Sequence, residues 1–202
     1  MVMLGHNGAG KTTLINYLLG FYTDCGQHPY LPGFKVFVER KRLQLGHYAF
    51  VPEAAFLDYE WSASDYFRLM ASLHGLKKYD PEEFLQRVAL AVDLNKPIKY
   101  YSKGMKQRLM LALALLPGPE TILLDEPTSG LDPYGKAAIE ALILELSQKH
   151  RLILSTHSLD LAEQLGDEVC ILRQGEIVYE GKVADRQVLD SLVARYRPEQ
   201  IQ

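Results

Sequence analysis

Four apolar residues, Met1 to Leu4, run directly into Gly5-His6-Asn7-Gly8-Ala9-Gly10-Lys11-Thr12. Apolar residues then recur at helical spacing, at Leu14, Ile15, Leu18 and Leu19, until Gly20 closes the run. A strand, a glycine-rich turn and a helix in that order fit the phosphate-binding pattern G-x-x-x-x-G-K-[ST]. The glycines let backbone N–H groups turn inward around an anion, and the helix presents its positive end to the same place. On this reading the backbone of Asn7, Gly8, Ala9 and Gly10 cradles phosphates, and Lys11 reaches the β- and γ-phosphates. Thr12 ligates Mg²⁺, and Thr13 donates to the α-phosphate. A plain glycine-rich turn before a helix would share the spacing, but the flanking strand and helix supply the context a phosphate loop requires.

A second element is Ile122-Leu123-Leu124-Asp125-Glu126, an apolar strand ending in two carboxylates. Phosphoryl transfer to water needs one acid to hold the metal and another to orient or deprotonate the nucleophile. Asp125 takes the first role and Glu126 the second. A solvated strand end would carry acids too; the phosphate loop upstream is what favours catalysis.

Around these motifs the pattern alternates. Thr121–Asp125 and Arg151–Thr156 are short, dense apolar runs of the kind that form buried parallel strands. A helix from Pro133 to about Lys149 is expected between them. Strands are also expected at Phe34–Glu39 and His47–Val51, and a hairpin over Glu168–Arg173 and Glu176–Glu180. The stretch from Ala54 to Leu116 reads as helical, with Asp80-Pro81-Glu82-Glu83 as a helix start. An amphipathic tail runs from Val183 to Tyr196. The fold class implied is α/β, a mostly parallel core sheet flanked by helices, with an inserted helical lobe and a small antiparallel part. As one domain over 1–202, the core takes 1–53 and 118–182, the lobe 54–117 and the tail 183–202. Tyr66, Phe67, Met70 and Leu73 are expected to form the core of the lobe, while Tyr59 and Trp61 suit a docking surface.

Composition narrows the partners. An apolar fraction of 48% and a charged fraction of 23% describe a globular protein with a full core. A net charge of -3 argues against nucleic acid as a main partner, because no basic excess exists to neutralise phosphates. Cys25 and Cys170 match no metal-ligand spacing and no disulfide framework, which fits a reducing setting. The longest apolar run, Leu109 to Leu116, stops at Pro117, well short of the roughly 20 residues a bilayer needs. Any role at a membrane is therefore expected to be peripheral.

Tyr101-Ser102-Lys103-Gly104-Met105-Lys106-Gln107-Arg108 opens the helix that holds Leu109 to Leu116. Cations at a helix N-terminus oppose the macrodipole, so Lys103, Lys106 and Arg108 are expected to gain nothing locally and to face an anion. This segment resembles the signature loop of ABC ATPases. The resemblance continues in order through Pro127, Ser129-Gly130-Leu131-Asp132, similar to the D-loop, and Ser155-Thr156-His157, similar to the switch histidine. It covers nearly the whole chain. The wording of the signature and of Val51-Pro52-Glu53 looks most like ATP-binding subunits of bacterial ABC-2-type exporters.

The resemblance implies a P-loop NTPase of the ABC type that binds ATP with Mg²⁺. It implies a head-to-tail dimer, homo- or heteromeric, whose sites pair the phosphate loop of one chain with Ser102 and Gly104 of the other. His157 would contact the γ-phosphate, and Asp132 would serve the D-loop while also capping a helix. Glu53 stands where the family usually has glutamine and would approach the metal, although a loop acid fits the position as well. A separate transmembrane permease and the cytoplasmic face of the cell membrane follow as expected partner and location. The family also carries about two antiparallel strands and an adenine-stacking aromatic upstream of its phosphate loop. Met1 lies almost on that loop here, which implies weaker base discrimination unless Tyr22 or Tyr30 holds the base. Two other readings remain at this stage: a soluble ABC-type ATPase of translation or repair, and a regulatory module that binds nucleotide without hydrolysing it. The long coiled coil of repair-type members and the tandem domains of translation-type members are not seen in the sequence.

Overall fold

The computed structural model describes residues 1–22, 37–38, 41, 46–54, 56–165, 168–182 and 186–195. The described strands are β1 (Val2–Leu4), β2 (Tyr48–Val51), β3 (Thr121–Asp125), β4 (Arg151–Thr156), β5 (Val169–Arg173) and β6 (Glu176–Gly181). The helices are α1 (Lys11–Leu19), α2 (Ala63–Leu73), α3 (Pro81–Arg87), α4 (Lys103–Leu115), α5 (Pro133–Ser147), α6 (Leu159–Leu165) and α7 (Arg186–Arg195). A short 3₁₀ turn spans Ile98–Tyr100. The strand order is β2-β3-β4-β1-β5-β6. β1 runs parallel to both β4 and β5, and β5 and β6 form an antiparallel hairpin. This is the α/β architecture read from the strand–helix alternation.

The chain divides into two compact units, one of Met1–Gly46, Leu123–Glu126 and Arg151–Gln202, the other of His47–Ile122 and Pro127–His150. In the first, β1 is buried along its whole length and sets Val2 opposite Leu154 and Val169. Val2, Leu4, Ala162, Val169, Ile171 and Leu189 form one apolar cluster, and Leu189 brings α7 to it. Helix α1 buries Leu14, Ile15, Leu18 and Leu19, together with Tyr17. It stops at Gly20, whose φ of 82° is a left-handed geometry that glycine adopts without a Cβ penalty. The strand expected at Phe34–Glu39 is not what forms at its two described residues. Phe37 and Val38 are helical and both buried. Adjacent strand residues point to opposite faces, so a helical turn is the geometry that hides this pair on one side. The Lys41 ammonium then lies 5.8 Å from the centre of the Phe37 ring, the i,i+4 neighbour of a helix. The rest of that stretch, with Cys25 and Tyr30, lies outside the described residues, as do Val183 and Tyr196 at the bounds of the expected tail.

The second unit is mainly helical. Ser62 and Asp65 close a capping box at the start of α2, and Asp80 caps α3 with Pro81 in its first turn. The buried stripe of α2 is Ala63, Phe67 and Ala71, one side chain per turn. Of the expected lobe core only Phe67 is fully buried; Tyr66 and Met70 are half-buried and Leu73 is 70% exposed. Leu73 stands two residues past Ala71, about 200° around the helix, and so faces away from the stripe. Helix α4 is apolar nearly all round from Leu109 onward and is correspondingly buried. No helix among the described residues is long and apolar enough to cross a membrane.

Candidate functional site

The loop after β1 has the geometry its glycines promise. Gly8 and Gly10 have φ of 81° and 102°. A Cβ at Gly5 would stand 2.7 Å from the Leu172 carbonyl oxygen and 2.9 Å from the Ala9 Cβ, so no larger residue fits there. The β5–β6 turn supports the loop, with the Gly175 N–H donating to the Ala9 carbonyl at 3.0 Å. Helix α1 begins at Gly10 without a side-chain cap and without an acid in its first turn. Its first N–H groups and its dipole are left for an outside anion, which is what a nucleotide phosphate requires.

Lys11 is 6% exposed, and its ammonium donates to the carbonyls of Gly5 at 2.7 Å and His6 at 3.2 Å. It also lies 3.0 Å from Glu126 Oε1. That contact is an ion pair off the line of a hydrogen bond, because Oε1 is buried and has no hydrogen-bond partner among the described residues. The other oxygen, Oε2, lies 3.0 Å from Nδ1 of His157, whose side chain is 59% exposed. Glu126 has φ of 42°, a left-handed backbone that non-glycine residues rarely adopt. Pro127 follows it and disfavours the right-handed helical region, and the Glu126 N–H is held by Ser155, at 2.9 Å from the hydroxyl and 3.2 Å from the carbonyl. Asp125 is 2% exposed and accepts a hydrogen bond from the same Ser155 hydroxyl through Oδ1. The first unit thus brings together Lys11, Asp125, Glu126 and His157. Asn7, Gly8 and Thr12 are exposed, Thr13 is half-buried and Ala9 is buried. Tyr22 is 46% exposed and stacks edge-on against Tyr17, with ring centres 5.1 Å apart.

The donor set suits Mg²⁺. Thr12 and Asp125 offer hard oxygens, and no cluster of three His, Cys, Asp or Glu side chains able to hold a metal occurs among the described residues. Mg²⁺ ordinarily takes one or two protein oxygens and completes its shell with water and substrate phosphate.

Glu53, Ser102, Gly104 and Asp132 belong to the second unit. Ser102 caps α4, its hydroxyl accepting from the Met105 N–H at 3.2 Å. Tyr101 before it is buried, and that burial, with the Asp93 carboxylate as the smaller cause, pushes its phenol above the usual range. A Cβ on Gly104 would meet nothing closer than Leu131 Cδ2 at 3.9 Å. Asp132 caps α5, accepting from the Gly135 N–H at 2.9 Å, as its place before Pro133 indicates. Glu53 is exposed, and its Oε1 accepts from the Ser129 hydroxyl at 2.8 Å.

The expectation that the basic residues of α4 gain nothing locally is corrected for Arg108 and Lys106 by their contacts. Arg108 donates to the carbonyls of Val88 and Ala89, at 2.7 and 3.0 Å, where α3 ends and Ala89 turns to φ of 50°. Lys106 sits 3.9 Å above the centre of the Tyr59 ring, a cation–π contact. The helix dipole acts only along α4 itself, whereas these partners come from other segments. Glu53, Ala54, Tyr59, Lys103, Lys106 and Gln107 line a cleft of about 410 Å³. Ser129 and Ser155 stood in the sequence motifs, but the sequence did not show that they bond Glu53 and the two strand-end acids. The Gln174-Gly175 turn signal was visible, but that it would touch the phosphate loop was not.

Comparison with known proteins agrees with this geometry. The ABC transporter family model matches residues 1–129. An uncharacterised ABC transporter ATP-binding protein of Bacillus subtilis, YxlF, is 38% identical over 92% of the chain. Mouse ATP-binding cassette sub-family A member 17 is 34% identical over 87% of it. The chain spans 62% of the length of the first and 10% of the second. A solved structure of an ATP-binding subunit of an ABC transporter superposes with a TM-score of 0.73 at 30% identity, covering 96% of this chain and 86% of the other. With its phosphate loop, paired strand-end acids and histidine arranged as described, the chain belongs to the ABC transporter family and is an ABC nucleotide-binding domain.

Proposed function

We propose that the chain hydrolyses ATP to ADP and phosphate and that this drives a transporter of the export type. The observation that carries the reading is Glu126, a buried carboxylate held between Lys11 and His157 on a strained backbone. Strain of this kind costs about 1–3 kcal/mol and persists where the surrounding structure fixes a side chain for a task. Among the described residues Glu126 Oε1 accepts no hydrogen bond and meets only the Lys11 ammonium, which leaves it able to accept one from water.

Lys11 exchanges its Gly5 and His6 carbonyls for the β- and γ-phosphates, and the N–H groups of Gly8 to Thr13 surround them. Thr12 and Asp125 would hold Mg²⁺, which would supply neutralisation of the charge on the phosphates. Water attacks the γ-phosphorus, its proton passes to Glu126, and the bond from the γ-phosphorus to the bridging oxygen breaks to release ADP. His157, already bonded to Glu126 and exposed on its other side, orients the γ-phosphate.

Ser102 and Gly104 act on the nucleotide of a second ABC subunit, identical or related, so two sites are shared between two chains. Asp132 serves that interface as well as capping α5. A separate transmembrane permease takes up the motion at the cytoplasmic face of the membrane. Glu126→Gln tests the chemical core. ATP binding should persist while phosphate release falls by roughly 10²-fold or more, a general-base loss. Unchanged turnover in this variant removes Glu126 from the mechanism.

A further inference from the structure

Between Thr128, which is 5% exposed, and Asp132, which caps α5, the backbone of residues 129–131 crosses the surface with Gly130 in a left-handed conformation, φ 63°. Besides the turn bond from the Leu131 N–H to the Thr128 carbonyl at 3.3 Å, the loop is tied by the 2.8 Å hydrogen bond from Ser129 to Glu53. It also packs on the first turn of α4. A Cβ added at Gly130 would collide with Nζ of Lys103, and Leu131 is the nearest side chain to the open face of Gly104. Glu53 and Lys103 line the same cleft.

We propose that Glu53 is a positioning residue that acts through Ser129. It pins the 129–131 loop against Lys103 and Gly104, so that the loop and the start of α4 move as one piece. The carboxylate does this work as a hydrogen-bond acceptor and not as a charge. A glutamine carbonyl can therefore replace it toward Ser129, whereas at a metal the same change would keep a ligand oxygen but remove its charge and so shift the Mg²⁺ dependence.

The kinetic arm of the test rests on the hydrolysis proposed above; the amide-exchange arm does not. Glu53→Gln, Glu53→Ala, Ser129→Ala and the Glu53→Ala/Ser129→Ala double variant of the full chain are compared. The measurements are kcat, KM for ATP, the Mg²⁺ concentration for half-maximal rate, and hydrogen exchange at the Gly130 and Leu131 amides. Loss of one hydrogen bond should lower kcat on the order of 5- to 10-fold in both single alanine variants. The double variant should be no worse, with KM and the Mg²⁺ dependence unchanged. Exchange at the two amides should speed up in the alanine variants and not in Glu53→Gln, which keeps wild-type kcat. A shifted Mg²⁺ dependence in Glu53→Gln beside a wild-type Ser129→Ala overturns the proposal in favour of a metal role. Should the wild-type chain show no turnover, exchange alone decides, and equal protection in all variants overturns it.

Discussion

The two units carry their polar chemistry in opposite ways. In the first, charge is buried and reciprocated. Lys11 and Glu126 are each under 10% exposed, and Ser155 serves both strand-end acids. In the second, Ser102 and Lys103 are exposed, and among the described residues the Ser102 hydroxyl bonds only within the cap of its own helix. Gly104 faces only ordinary contacts, so nothing among the described residues requires it to be glycine. The phosphate loop is finished within one chain, whereas the α4 entrance has room for something from outside. A buried ion pair is weak evidence for stability, because desolvation offsets much of its attraction. Retaining Lys11 against Glu126 therefore points to function, and an unnecessary glycine in the other unit points to a partner.

The comparison breaks most sharply if the sites are not shared. A Lys11→Ala chain and a Ser102→Arg chain should each be nearly inactive, and mixing them should restore part of the ATPase rate, because half of one composite site comes from each chain. Turnover by a Ser102→Arg protein that remains monomeric would refute the sharing.

Stability separates the two units next. Gly5→Ala forces a Cβ against the Leu172 carbonyl and should cost about 1–3 kcal/mol, an overpacking penalty visible as a lower denaturant midpoint. Ser62→Ala, in the second unit, removes a helix cap and should cost about 1 kcal/mol. Hydrogen bonds from the Ser62 hydroxyl and N–H hold the Asp65 carboxyl below its ordinary 3.8, with Arg68 adding to them. A lowered acid contributes above its unfolded value and loses that contribution as pH falls through the folded one. The gap between wild type and Ser62→Ala should accordingly narrow below about pH 4. A gap that is constant from pH 7 to pH 3 would detach Asp65 from the cap. The smallest effect belongs to Gly104→Ala. Its stability should stay within about 0.5 kcal/mol of wild type, since the added methyl meets only ordinary van der Waals contacts, with Leu131 at 3.9 Å and Ser102 at 4.0 Å. ATPase activity should nevertheless drop. A large loss of stability would mean that Gly104 serves its own fold, and the contrast between the units would fail.

Local chemistry was legible from the residues. The phosphate loop, the dense runs of β3 and β4, and the Asp-Pro starts at Asp80 and Asp132 each depend on neighbours a few positions away, which the sequence displays in order. The hairpin and α1 follow from the same short-range rules. What touches what across the chain was not legible. Arg108 meets carbonyls 19 and 20 residues upstream, Glu53 meets a serine 76 positions away, and His157 meets Glu126 across 31. β4 lies between β3 and β1 in the sheet, so Glu126 just past one strand end, Ser155 on β4 and Lys11 after β1 come to neighbouring places. No local propensity encodes that order. Burial decided the rest: Phe37 and Val38 coil because both must be hidden, and Leu73 is left outside although it is apolar. Side-chain type and spacing announce which groups can handle a phosphate. Only the packed fold settles which charges are paired and which glycine could carry a methyl group without a clash.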